Sequence, residues 1–210
     1  MSLIDSTYFE NVPLYIPNAA NRNAGDYSFP NELQGIIDKY EKELLINFLG
    51  VELYNELMTV ALDLPNADLK WQNLVNGEFY TFENVTYQFE GLLPIIAKFV
   101  YCKYLRDDEF HLTTTGVKRV NSDVTKDISY TNKYVKIWNE FLKEYQNNLY
   151  DVAPDIVFTW RGVGLDYFGN GNTETLVSLF TYLQHQNTLD SANFPDITFK
   201  VYKPVNTFGI

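Results

Sequence analysis

The chain has one cysteine, two histidines and two methionines in 210 residues. The lone Cys102 permits no internal disulfide, which suits a reducing compartment or one where bridges are not needed. With only His111 and His185, a His-rich metal site is not available. Positive charge is scarce as well: 16 Lys and Arg face 27 Asp and Glu, a net charge of −11. Nucleic-acid binders use Lys and Arg to displace counterions from phosphates, so this chain is a poor grip on DNA. It can still lie beside DNA, because a negative wall repels phosphates and does not trap them. The N-terminal MSLIDSTYFENV shows neither the basic nor the apolar region of a signal peptide. No run of about 18 apolar residues offers a bilayer span. Repeats at a fixed period are missing too. A cytoplasmic protein with no membrane partner is expected.

Aromatic residues are plentiful, with sixteen Tyr, fifteen Phe and three Trp making 16% of the chain. Such side chains dominate core and interface energetics, and Tyr suits surfaces that end half-buried. The charge is uneven: residues 1–108 hold 16 acidic and 7 basic groups, residues 109–150 hold 5 and 6, and residues 151–210 hold 6 and 3. The middle segment is therefore the one suited to an acidic partner.

Residues 1–30, rich in Asn, Pro and aromatics, read as an extended N-terminal arm. Asn31 is a plausible helix cap, and Leu33, Ile36, Ile37, Tyr40, Leu44 and Phe48 follow at helical spacing. Gly50 is placed to stop that helix. A second follows at once, striped by Leu53, Tyr54, Leu57, Met58 and Ala61. Trp71, Leu74 and Val75 suggest a short third helix, and residues 78–89 a small β-hairpin centred on Glu83 and Asn84. Pro94 opens a helix whose Ile95, Ile96, Phe99, Val100, Cys102, Tyr104 and Leu105 make it apolar on most sides, hence central or buried between subunits. Residues 109–128 read as a long polar loop, functional or mobile. A helix over 129–149 carries Tyr130, Tyr134, Ile137, Trp138, Phe141, Tyr145 and Leu149 on one face. Beyond Pro154, residues 155–172 are rich in Gly and aromatics, 173–184 suit one short helix, and 190–210 is extended. The expected fold is mainly α (α+β). A helical bundle over 31–150 carries a small hairpin and extended arms, with a C-terminal extension over 151–210.

Catalytic templates fail one by one. Asp107, Asp108, Glu109 and His111 group hard-ion ligands, but adjacent helical positions point in different directions. They read as an acidic patch or a solvated helix end. Cys102 lies within an apolar run, where a thiol is an inert core residue. Gly162, Gly164, Gly169 and Gly171 miss the dinucleotide-binding spacing, because Tyr167 takes the third glycine's slot. No catalytic, cofactor-binding or metal-ligating residue is assigned. The tail is more informative: Ile197, Phe199 and Val201 alternate with Thr198, Lys200 and Tyr202, bracketed by Pro195 and Pro204, and Phe208 and Ile210 follow. Ordering so many residues costs as much as their burial returns, so the tail orders only where its backbone finds hydrogen-bond partners. A neighbouring subunit's sheet edge is the favoured partner, with folding back onto its own domain as the other outcome.

The N-terminal Leu3-Ile4-Asp5 with Tyr8-Phe9, the run from Lys39 to Tyr54 (KYEKELLINFLGVELY), Trp71, Leu74, Asn76, Gly77 and Tyr80, the Thr114–Val117 loop and the Trp138-Asn139 pair form an ordered series. This series, over about residues 3–145, resembles a family of phage proteins from Bacteroidetes hosts. Its members are similar to head–tail connectors, or adaptors: small helical subunits forming a ring, usually of twelve, beneath the portal. The resemblance implies a cofactor-free virion component assembled in the host cytoplasm. Its partners would be copies of itself, the portal protein, and tail or further ring proteins, with DNA only as passing cargo. The interface candidates are Thr114, Thr115, Gly116, Val117, Lys118 and Arg119 in the loop, and Ile197, Phe199, Val201, Tyr202, Phe208 and Ile210 in the tail. A tail-completion or other tail-ring protein is the nearest alternative. A metal-dependent hydrolase or nucleic-acid processing accessory is the alternative of a different class.

Overall fold

A computed structural model describes residues 2–16, 19, 28–82, 84–108, 110–113, 116–119, 130–146, 176–195 and 199–205. Its frame is helical. Helix α1 spans Ser28–Val60 and is broken at Gly50, whose φ of 72° lies in the left-handed region. Glycine takes that conformation without a Cβ penalty, and the two arms of α1 meet there in an elbow. The helix opens three residues before the expected cap at Asn31. A 3-10 turn over Ala61–Asn66, holding Pro65, leads to α2 (Leu69–Asn76). Strands β1 (Glu78–Phe82) and β2 (Val85–Phe89) pair antiparallel, with Tyr80 opposite Tyr87. Asn84 at the tip has a φ of 65°, which Asn tolerates better than most residues.

Helix α3 (Leu92–Asp108) is the centre of the molecule, packed between α1 and α4 (Tyr130–Gln146). Leu92, Ile95, Ile96, Ala97, Phe99, Val100, Tyr101 and Cys102 are all buried, and so occupy every side of α3. From α1 come Leu33, Ile37, Leu44, Leu45, Phe48 and Leu57, and from α4 Ile137, Phe141 and Tyr145. Lys103 of α3 meets Glu43 of α1 at 3.0 Å, and Lys98 meets Glu144 of α4. Helix α5 (Leu179–Leu189) closes the other side of α4. It lies C-terminal to the helix expected over 173–184 because Ser178 is its cap, accepting a hydrogen bond from the Thr181 N–H. Within the helical stretch Leu33–Asn66, one 18-residue window reaches a mean hydropathy of 1.2, enough by length and composition alone to cross a membrane. Here that stretch supplies core residues, and Glu52 and Glu56 interrupt it.

Two expectations need correction. The loop over 109–128 begins as a second hairpin, β3 (Phe110–Thr113) paired with β4 (Gly116–Arg119), with His111 opposite Lys118. The N-terminal arm, where described, is part of the core. Ile4, Phe9, Leu14 and Ile16 are buried, and Phe9 stacks on Tyr101 with centroids 6.5 Å apart. Large apolar side chains so close to α3 stabilise the arm more by burial than a solvated extended chain could match.

The hairpin β1–β2 is rooted by two glycines. Gly77 and Gly91 have φ of 88° and 91°, and their backbones lie face to face. A Cβ on Gly77 would sit 2.7 Å from the Glu90 carbonyl carbon, and one on Gly91 would sit 2.7 Å from the Gly77 nitrogen. Neither position has room for a side chain.

Candidate assembly interface

The described part of the tail, residues 199–205, lies along α4 of its own chain. Its backbone does find partners: among the described residues, those of 200–205 are side chains of α4 and one main-chain carbonyl of α1. Gln146, 1% exposed, pairs with Tyr202 in the manner of a neighbouring strand: its Nε2 donates to the Tyr202 carbonyl at 2.7 Å, and its Oε1 accepts from the Tyr202 N–H at 2.8 Å. Tyr145 donates its hydroxyl to the Lys200 carbonyl at 3.0 Å, and the Trp138 indole donates to the Lys203 carbonyl at 2.8 Å. Asn139 reaches the Val205 carbonyl at 3.4 Å. Positions 138, 139, 145 and 146 recur at seven residues, two helical turns, and so share one face of α4. The strap runs antiparallel to α4, since Lys200 lies by Tyr145 and Lys203 and Val205 lie by Trp138 and Asn139. From α1, Asn47 adds a carbonyl that accepts from Lys200 N–H at 3.1 Å and an amide that donates to the Tyr202 hydroxyl at 2.8 Å.

Two aromatic residues anchor the strap. Phe199, 0% exposed, sits between Tyr145 and Phe180, at centroid distances of 4.5 and 5.1 Å. Tyr202 enters a nest of Phe99, Trp138, Phe141 and Tyr145, with centroids 5.4 to 5.8 Å away. Burial pushes the Tyr202 hydroxyl well above its usual pKa. Phe199 and Tyr202 are core residues of their own chain, and Val201 is partly buried beside them, so this stretch follows the folding-back outcome. Phe199 was legible as an apolar position, but the strand alternation set Tyr202 on the opposite face, and Gln146 was not legible at all. A polar residue near a helix end gives no sign that it will mimic a peptide group.

Of the other interface candidates, Gly116, Val117, Lys118 and Arg119 form β4, whose backbone follows α3 through β3. Thr114, Thr115, Ile197, Phe208 and Ile210 lie outside the described residues, as do Glu109 and the four glycines from Gly162 to Gly171. Large apolar side chains are exposed elsewhere: Phe79 on the hairpin, Leu62 and Leu69 around the 3-10 turn, and Leu189 at the end of α5.

A second backbone clasp holds the N-terminal segment. Glu41, 2% exposed on α1, accepts the Leu3 N–H at 2.7 Å and the Ile4 N–H at 3.2 Å. Burial raises its carboxyl to about 7, with Asp38 adding to the effect, while the two N–H donors pull the other way. The remaining buried polar network joins the hairpin to α5. Glu78 accepts from Gln186 at 2.7 Å and also from Asn73. His185 stacks on Tyr80 with centroids 4.5 Å apart, and burial lowers its pKa. These groups tie three elements together. Among the described residues no group of three or more His, Cys, Asp or Glu is arranged to hold a metal ion. The Cys102 thiol is buried and its pKa is pushed far up by desolvation.

Residues 45–152 match the model of a family of unknown function, DUF6712. The match spans half of the chain, and the protein belongs to that family. No curated protein and no solved structure matches it.

Proposed function

We propose that this DUF6712 member is a structural subunit of a tailed-phage particle, a ring-forming head–tail connector that links the portal to tail components. One observation carries the reading. Its most elaborate buried polar groups, Glu41 and Gln146, grip the backbone of chain segments far away in sequence. Tyr145, Trp138 and Asn139 add to the second grip. An enzyme aims such groups at a cleft. A subunit that must hold arms in register against a rigid core uses them as clasps. The mainly helical core and the exposed Phe79, Leu62 and Leu69 supply surfaces for neighbours. The net charge of −11 is compatible with DNA passing a ring without adhering.

Electron microscopy and native mass spectrometry of purified particles test this. The expected result is a ring of copies, twelve in the leading form, between portal and tail. A position further down the tail would favour a tail-completion role. Absence from the particle overturns the proposal.

A further inference from the structure

One junction on the surface gathers exposed leucines and unbalanced negative charge. The end of α1, the 3-10 turn, α2 and the turn after α5 meet there, and Lys70 of α2 is the pin. Its ammonium lies 3.8 Å from the Glu56 carboxylate of α1 and donates to the Asn193 side-chain oxygen at 3.1 Å. Asn193 in turn donates to Asp190, which follows α5, at 2.6 Å. Gln72 of α2 donates to the carbonyls of Pro65 and Ala67 and ties the 3-10 turn to the same junction. Leu62 on the turn, Leu69 at the start of α2 and Leu189 at the end of α5 are 72%, 71% and 68% exposed. Glu52, Glu56, Asp63, Asp68 and Asp190 are exposed on the same elements. Lys70 is the one basic residue in 51–76 and 189–195. Among the described residues, Glu52, Asp63 and Asp68 pair with no Lys or Arg.

We propose that this junction docks a basic amphipathic segment of another protein, its aliphatic side chains covering Leu62, Leu69 and Leu189 and its Lys or Arg heads meeting Glu52, Asp63, Asp68 and Asp190. The leucines fix what must be covered, and the charge fixes by what. An exposed leucine gains by burial against another apolar side chain. Carboxylates without a local countercharge repel one another, so a cationic partner is drawn in where a neutral one is not. The same charge turns away other occupants. Nucleic acid and an anionic lipid surface are repelled, and a second copy brings its own net charge of −11. Two of the carboxylates are held in place before a partner arrives. Asp63 accepts from Asn66 at 2.9 and 3.0 Å, and Asp190 accepts from the Asn193 backbone and side chain. The inference takes its setting from the subunit reading, to which it adds the chemistry of one partner, but its test does not rely on that reading.

The test uses the full chain and three fluorescent synthetic peptides of equal length. One is an amphipathic Leu/Lys helix, one has the same composition with its leucines scattered, and one is an amphipathic Leu/Glu helix. Binding is read by fluorescence anisotropy at low and at physiological salt. The Leu/Lys helix should bind, more weakly as salt rises, and the other two should bind at least about tenfold more weakly. Leu62→Ser with Leu69→Ser should lower its affinity at least about tenfold, and Asp63→Asn with Asp68→Asn about three- to tenfold. All four side chains are exposed, so circular dichroism and the thermal midpoint should match the parent. Glu10→Gln with Glu90→Gln removes the same charge from other elements and should leave binding within about twofold. An equal loss in that control, a Leu/Glu helix that binds as tightly as the Leu/Lys helix, or no binding to the parent overturns the proposal. Self-association of the parent that the leucine variant abolishes also overturns it, in favour of a second copy. None of these results depends on where the protein sits in a particle, so failure of the connector reading is seen separately by microscopy.

Discussion

Replacing Gln146 by Ala is the sharpest probe of how the tail is held. Gln146 is 1% exposed and satisfies both the N–H and the C=O of Tyr202. With Ala, two buried backbone groups lose their partner while the strap stays in place. Each such group costs about 1–3 kcal/mol, so the seated strap is destabilised by about 2–6 kcal/mol. The chain has an escape that limits the damage: the strap can leave, and water then satisfies both groups. The global loss cannot exceed the free energy of strap docking, whereas the local loss at Tyr202 is felt in full. Two readouts separate these quantities. Hydrogen exchange at the Lys200 and Tyr202 amides, which donate to Asn47 and Gln146, should accelerate by about thirtyfold or more. The thermal midpoint should fall by several degrees, at about 2–4 °C per kcal/mol for a chain of this size. Gln146→Glu keeps the acceptor for the Tyr202 N–H but loses the donor to its carbonyl, and should lie between. If Gln146→Ala leaves exchange in residues 200–202 and the midpoint as in the parent, the clasp does not hold the tail and the reasoning fails.

Three further outcomes follow from other contacts. Gly77→Ala should lower stability by at least about 3 kcal/mol, because its φ of 88° and ψ of 164° suit only glycine and the new Cβ would strike the Phe89–Glu90 backbone; a urea midpoint near the parent's would refute the reciprocal fit with Gly91. Burial raises Glu41 above its unfolded value, so its contribution is complete below about pH 4.5 and is lost as pH rises through about 7. Stability should decline across that window by at most about 1.4 kcal/mol per pH unit, and Glu41→Gln should flatten the slope in pH-dependent urea denaturation. Cys102, buried with a raised pKa, should resist iodoacetamide in the native chain and react once the chain is unfolded; labelling at equal rates, read by mass spectrometry, would contradict its place in the core.

Periodicity made the helices legible. The stripe from Tyr134 to Tyr145 marks α4, the unbroken apolar run after Pro94 marks the central α3, and Gly50 marks the elbow. Trp71, Leu74 and Gly77 also have local meaning, since two are buried in the core and the third sets the root of the hairpin. The sites that escaped notice depend on contacts far apart in sequence. Ser178 as a cap was hidden by the apolar run that follows it. The pairing of β3 with β4 rests on four residues a side with weak alternation. Glu41 looks like any other charge on a mixed helix until Leu3 and Ile4 are seen to donate to it. A polar residue that binds backbone carries no pattern, because its partner can be any sequence with the right path.

That distinction bears on where specificity resides. The family match covers residues 45–152, which includes Trp138, Asn139, Tyr145 and Gln146 on the groove side, but neither the strap at 199–205 nor the clasp between Glu41 and residues 3–4. The core thus contains a groove that reads main chain, and the segment that fills it lies outside the matched region. A groove of this kind accepts many sequences weakly, and the Phe199 and Tyr202 slots narrow the choice. Exchanging the two anchors should therefore alter binding more than exchanging Lys200 or Lys203, whose carbonyls are bound whatever side chain they carry. Phe199→Ala and Tyr202→Ala should free residues 199–205 to proteolysis. Lys200→Ala and Lys203→Ala should leave the tail protected, and equal protease sensitivity in all four variants would show that side chains and not the main chain hold it.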